Sequence, residues 1–233
     1  MSIKFGHYLY FFNGMKINKF YKYLIILIII LSSYSFLKFN EVSKKLTKDD
    51  IFYIELLLDD FGINKNTDIK KLNFDEKIYF IKSIQKRIIG PKYINKPIAQ
   101  YKEREPKDYY NFRPSSCFDN SRIMQKILNY FKIDTIQVAI YVKKSTYAWF
   151  QIFLKPKLAS HSVTIAIIDN KNILIDSTEN FISIKNNNNI IHIKDLDEYY
   201  NSNWKFEKAH PLFSNKFIYV DGLYSRHGKF YKP

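Results

Sequence analysis

Residues 116–142, SCFDNSRIMQKILNYFKIDTIQVAIYV, and residues 161–176, HSVTIAIIDNKNILID, decide the fold. The first stretch reads as a helix running into a strand. Ser116 suits the N-cap, Asp119 follows at capping-box spacing, and Cys117 becomes the first helical residue. Cys117, Ser121, Met124, Leu128 and Phe131 recur at steps of four, three, four and three. One face therefore carries a thiol at its tip and apolar side chains along its length. Thr135 to Val142 reads as a strand. The second stretch reads as a hairpin, with His161 to Ile168 as a strand, Asp169 to Asn172 as the turn, and Ile173 to Asp176 as the return strand. His161 and Asp176 are nearly equidistant from that turn, so both are expected at the open end of the hairpin.

These positions suit one chemistry. At a helix start, unsatisfied N–H groups and the positive end of the dipole favour a thiolate over a thiol. The same N–H groups help bind an oxyanion. A carboxylate across a hairpin from an imidazole fixes the ring's tautomer and stabilises the imidazolium. Cys117 as nucleophile, His161 as base and Asp176 as orienting carboxylate predict acyl transfer through a thioester. Two alternatives stay open at this stage. In one, Cys117 is a buried structural cysteine of a basic, membrane-surface protein, with His161 and Asp176 as ordinary strand-end polar residues. In the other, the domain is a non-catalytic binding module of a cell-envelope complex.

The order of Cys-bearing helix, strand, strand opening with His and strand ending with Asp resembles the transglutaminase-like superfamily of papain-fold cysteine enzymes. CFDNSRIMQKILNYFKID is similar to the family's cysteine segment, with an acidic residue two after the nucleophile and a small one four after it. HSVTIAIIDNKNILIDST is similar to its histidine and aspartate strands. The resemblance spans roughly residues 105–180. Ser115 stands where members often carry Gly, Ser177 replaces the Pro after the aspartate, and Ser162 stands in place of an aromatic. The resemblance implies an α+β, papain-like/transglutaminase-like core with a Cys-bearing helix packed on an antiparallel sheet. It also implies Cys117 as nucleophile, His161 as general base and acid, and Asp176 as the orienting residue; separately, no cofactor is expected. The implied substrate is a protein, a peptide or another amide, because many bacterial members are thought to act as proteases or amidases.

Outward from this core, the N-terminal 22 residues are aromatic and basic, with Lys4, Lys16, Lys19 and Lys22. Residues 23–37, YLIILIIILSSYSFL, carry no charge. Tyr21, Phe36 and Phe39 extend that stretch into the interfaces of a bilayer. A single-pass signal anchor is expected here, with the catalytic domain outside the cytoplasm, although Lys38, Lys44, Lys45 and Lys48 blunt the charge bias. A secretory signal starting at Met15 is the other reading. Thr47 to Phe61 reads as a helix with a capping box from Thr47 to Asp50 and a stop at Gly62. Phe74 to Ile89 reads as another, with Ile78, Ile81, Ile84 and Ile88 on one stripe and Gly90-Pro91 as its stop. The expected organisation is a basic segment and anchor over 1–40, a helical layer over 41–92 and a catalytic domain over 93–233. Residues 92–115 show no period and read as a proline-punctuated loop. Strands are expected over 147–154, 190–193 and 216–221, and a short helix over 195–204.

Composition narrows the remaining classes. With 46% hydrophobic and 18% aromatic residues, and few Gly or Pro, the chain can bury a substantial core and is not of disordered type. The net charge of +15 arises with a joint enrichment of Lys, Asn, Ile, Tyr and Phe, and no dense basic run stands out, so nucleic acid is not an expected partner. One cysteine excludes an intramolecular disulfide. No close His pair and no H-E-x-x-H motif occur, and no glycine-rich phosphate loop, so neither a metal nor a nucleotide is expected. His192, His210 and His227 are rival bases, but His210 and His227 lack a carboxylate at a structured spacing. Tyr109, Tyr110 and Phe112 line a groove or pack as core.

Overall fold

The computed structural model describes residues 19–40, 42–90, 104–114, 116–143, 159–207 and 209–222. It divides into two compact units, Met1–Asn40 and Glu41–Pro233. In the first, helix α1 (Lys19–Asn40) has 22 residues. At 1.5 Å per residue it spans about 33 Å, and it is long and apolar enough to cross a membrane. Its side chains from Leu24 to Leu31 are exposed.

In the second unit, local capping chemistry sets the helix ends. Helix α2 (Lys48–Phe61) starts at a reciprocal cap, in which the Thr47 N–H donates to Asp50 at 2.8 Å and the Asp50 N–H to the Thr47 hydroxyl at 3.1 Å. It stops at Gly62, whose φ of 66° a residue with a Cβ adopts only with strain. Helix α3 (Phe74–Ile89) uses Asn73 and Glu76 in the same way. Helix α4 (Pro106–Phe112) falls where the sequence reads as a loop. Proline at its first turn costs no hydrogen bond, and seven residues are too few for a period to show. Helix α5 (Cys117–Tyr130) begins at the cysteine, as the cap spacing predicts.

The sheet holds strands β1 (Asp134–Val142), β2 (Ser160–Ile168), β3 (Lys171–Asp176) and β4 (Phe217–Asp221) in the order β3-β2-β1-β4, all antiparallel. Asp169 and Asn170 turn β2 into β3 with φ of 49° and 62°, the conformation that matches strand twist in a two-residue hairpin. The strand expected over 147–154 lies outside the described residues. The strand expected over 190–193 reduces to an isolated bridge, Ile184 to Ile190. In place of a helix over 195–204 there is a 3-10 turn at Ile193–Asp195 followed by further turns. Leu196 and Trp204 at the two ends of that segment bury in the same cluster, and the turns between them are exposed or half-buried.

The sheet has an apolar layer on each face. On one, α5 crosses β1 and β2 and is covered by α2 and α3, with Ile54, Leu58, Ile81, Met124, Leu128 and Ala166 in one core. On the other, Val138, Val163, Leu174, Phe181 and Phe213 form a second core under the segments from 181 to 213. The result is a mixed α+β unit with the Cys-bearing helix packed on an antiparallel sheet. Two buried cations stud the outer side of α5. Arg122 donates to Glu105 at 2.6 Å and to the Ser43 carbonyl at 2.9 Å. Lys126 donates to Asp50 and to the Lys45 carbonyl, both at 2.9 Å.

Candidate active site

Cys117 takes its place from the cap of α5. The Ser116 hydroxyl accepts the Asp119 N–H at 3.2 Å and itself donates to the Asp119 carboxylate at 2.5 Å. Asp119 is also ion-paired with Arg104. Occupied by those partners, Asp119 does not reach back to the Ser116 N–H, so only half of the expected capping box forms. The Asn120 N–H closes the first turn onto the Ser116 carbonyl at 3.0 Å. The thiol is free and half-buried.

The other two residues come from the hairpin. In β2, Ser162 and Thr164 point towards α5, where they meet the Ser121 hydroxyl at 2.7 Å and the Ser121 carbonyl at 3.0 Å. His161 therefore points to the opposite face, with Val163 and Ile165. Asp176 is the last residue of β3 and its Cα partner is Val163, which puts it diagonal to His161 on that same face. His161 Nε2 lies 3.1 Å from both carboxylate oxygens. The carboxylate also accepts the N–H groups of Thr178 at 2.8 Å and Glu179 at 3.0 Å, and the Thr178 hydroxyl at 3.2 Å.

Electrostatics follow from this geometry. Burial alone would raise the Asp176 carboxyl. The hydrogen bond and charge of His161, with the two backbone N–H groups, outweigh it and hold the group below the usual carboxylate range. Burial alone would lower His161. Its hydrogen bonds to Asp176 and to Cys117, and the charges of both, push it up instead to about 9. The thiol thus lies close enough to the ring to raise its proton affinity, and Nδ1 is the nitrogen left to face it once Nε2 is taken by the carboxylate. Cys117, His161 and Asp176, spread over some sixty positions of chain, meet at one ring.

Several residues that sequence reasoning passed over support the group. The Gln85 amide, fully buried in α3, donates to the carbonyls of Asp176 at 2.8 Å, Glu179 at 3.0 Å and Phe181 at 2.8 Å. Lys82, one turn earlier, donates to the Asn180 carbonyl. Asn120, in the first turn of α5, donates to the Ser177 carbonyl at 2.8 Å. The Gln137 amide donates to the Ser121 hydroxyl at 2.6 Å beneath that helix. Only Gln85 left a legible signal, a polar residue on the apolar stripe of Ile78, Ile81 and Ile88.

The rival histidines separate. His192 caps a 3-10 turn, and His227 lies outside the described residues. His210 sits in the site, its ring stacked on His161 at 4.5 Å and 12°. Tyr109 is buried and donates to the Ile88 carbonyl at 3.1 Å, and Tyr110 packs against Tyr53, so both act as packing. A cavity of about 610 Å³ opens elsewhere, beside Lys65, Lys77, Lys132 and Asp169 at the turn end of the hairpin.

Comparison with protein-family models, with curated proteins and with solved structures finds no match for this chain.

Proposed function

We propose that the chain is a membrane-anchored thiol acyl-transfer enzyme that works through a Cys117–His161–Asp176 triad on a transglutaminase-like, papain-type core. One observation carries the reading: a buried imidazole with a carboxylate on Nε2 and a thiol near enough to help raise its proton affinity. In this reading the thiol proton rests on the ring, whose proton affinity is raised to about 9, and sulfur starts as the thiolate. Sulfur attacks the carbonyl carbon of an amide, and the carbonyl electron pair moves to oxygen. Collapse expels the amine, which takes the proton from His161, and leaves a thioester on Cys117. The ring, now neutral, removes a proton from water or from an acceptor amine as that molecule adds to the thioester and sulfur departs. Water makes the enzyme a protease or amidase; an amine makes it a transferase. The Cys117 N–H has no partner among the described residues and fronts α5 beside the sulfur, a suitable donor to the oxyanion.

Helix α1 serves in this reading as a single-pass anchor. Lys16 before it, with Lys19 and Lys22 in its first turn, favours a cytoplasmic N-terminus and a catalytic unit on the far side. The test is acylation of the full chain in detergent by p-nitrophenyl acetate. An acetyl group is expected on Cys117 by peptide mass mapping, with nitrophenol release much slower in Cys117→Ala and His161→Ala. Equal release by the parent chain and Cys117→Ala points instead to a non-catalytic module that keeps the same core.

A further inference from the structure

We propose that His210 is a positioning residue for the Cys117–His161–Asp176 group: its ring, laid flat on the His161 imidazole, sets the plane in which that imidazole faces sulfur. The inference rests on the catalytic reading above. Asp176 holds His161 through one nitrogen with two equal distances of 3.1 Å. A contact of that symmetry fixes where Nε2 sits but leaves the ring able to tilt about it. The tilt decides whether Nδ1 meets the thiol, and proton transfer depends steeply on such alignment.

Two rings restrain the tilt. The His210 ring covers one face of His161 at 4.5 Å and 12°, the range of a stacked aromatic pair. The edge is closed by Phe213, 6.2 Å from His161 and 6.4 Å from His210 at nearly perpendicular angles. Phe213 is fully buried against Phe181 and Phe217. His210 is itself fixed. It heads the 3-10 turn Pro211–Ser214, and its Nδ1 accepts the Leu212 N–H at 3.1 Å. With Nδ1 an acceptor, the proton of the neutral ring is on Nε2. Burial and the charge of His161 lower the proton affinity of His210, while Asp176 and Glu179 act the other way. A neutral ring face beside an imidazolium is attractive; a second imidazolium there would be repulsive.

The same side chain also caps the turn, so the test must separate ring from cap. His210→Gln keeps an acceptor for the Leu212 N–H and removes the ring. His210→Phe keeps a flat ring and removes the acceptor. Full-length protein in micelles is used, with folding checked by circular dichroism. Two quantities are read across pH 5–9: iodoacetamide alkylation of Cys117, and the His161 titration by nuclear magnetic resonance. Expected are an alkylation rate at pH 6 about tenfold lower in His210→Gln, a rate in His210→Phe close to that of the parent chain, and a shifted His161 titration in His210→Gln alone. The reverse pattern, with His210→Gln normal and His210→Phe impaired, makes His210 a cap and overturns the proposal. So does a parent-level rate in both variants while His161→Ala is slow. If the parent chain itself reacts no faster than His161→Ala, the catalytic reading falls, and this inference with it.

Discussion

The side-chain amide of Gln85, on α3, donates to the backbone carbonyl of Asp176 at 2.8 Å across 91 positions of sequence. Its further bonds to the Glu179 and Phe181 carbonyls hold both sides of the loop whose N–H groups grip the Asp176 carboxylate. The helical layer thereby reaches the candidate active site through one amide.

Gln85→Leu leaves three carbonyls without that donor, at a cost of about 1–3 kcal/mol. Gln85→Glu is expected to cost at least as much, since an ionised carboxylate cannot donate. Both should slow Cys117 alkylation at pH 6 by loosening Asp176. Chemical denaturation and alkylation kinetics check this; a stable Gln85→Leu with parent-level alkylation refutes the coupling.

The His161–Asp176 pair gives stability a defined pH dependence. A raised imidazole contributes fully below its ordinary value near ~6.5, and that contribution is lost as pH climbs through about 9. A depressed carboxyl contributes above its ordinary value near ~4 and loses that contribution as pH falls through its lower folded value. The pair therefore stabilises most between about pH 4 and 6.5 and declines towards pH 9. Melting temperatures of the parent chain and His161→Gln, taken from pH 5 to 10, should converge on the alkaline side. A constant gap across that range contradicts the raised imidazole.

Lys126 lies buried with Asp50 at 2.9 Å and Glu105 at 3.1 Å. Lys126→Met takes the buried cation from Asp50, while Glu105 keeps Arg122, and is expected to cost about 3–5 kcal/mol. Adding Asp50→Asn should recover part of the loss, because an amide is cheaper to leave unpaired than a charge. Urea unfolding followed by tryptophan fluorescence measures both. Strictly additive losses would show that the pair is not coupled.

What the sequence determined was local. Caps at Thr47 and Ser116, the stop at Gly62, the stripe of isoleucines in α3 and the turn at Asp169-Asn170 are written within a few residues of where they act, because backbone hydrogen bonds and helix or strand periods are short-range. Cys117 at a helix tip and His161 with Asp176 at one hairpin end were legible for that reason. The tertiary structure decided the rest. That His161 takes the sheet face opposite Ser162 and Thr164, that His210 lies on its ring, and that Gln85 and Lys126 are buried with partners follow from which faces pack together. Those contacts join residues from 49 to 91 positions apart, where no local period reaches and only the filling of a shared core selects the neighbour.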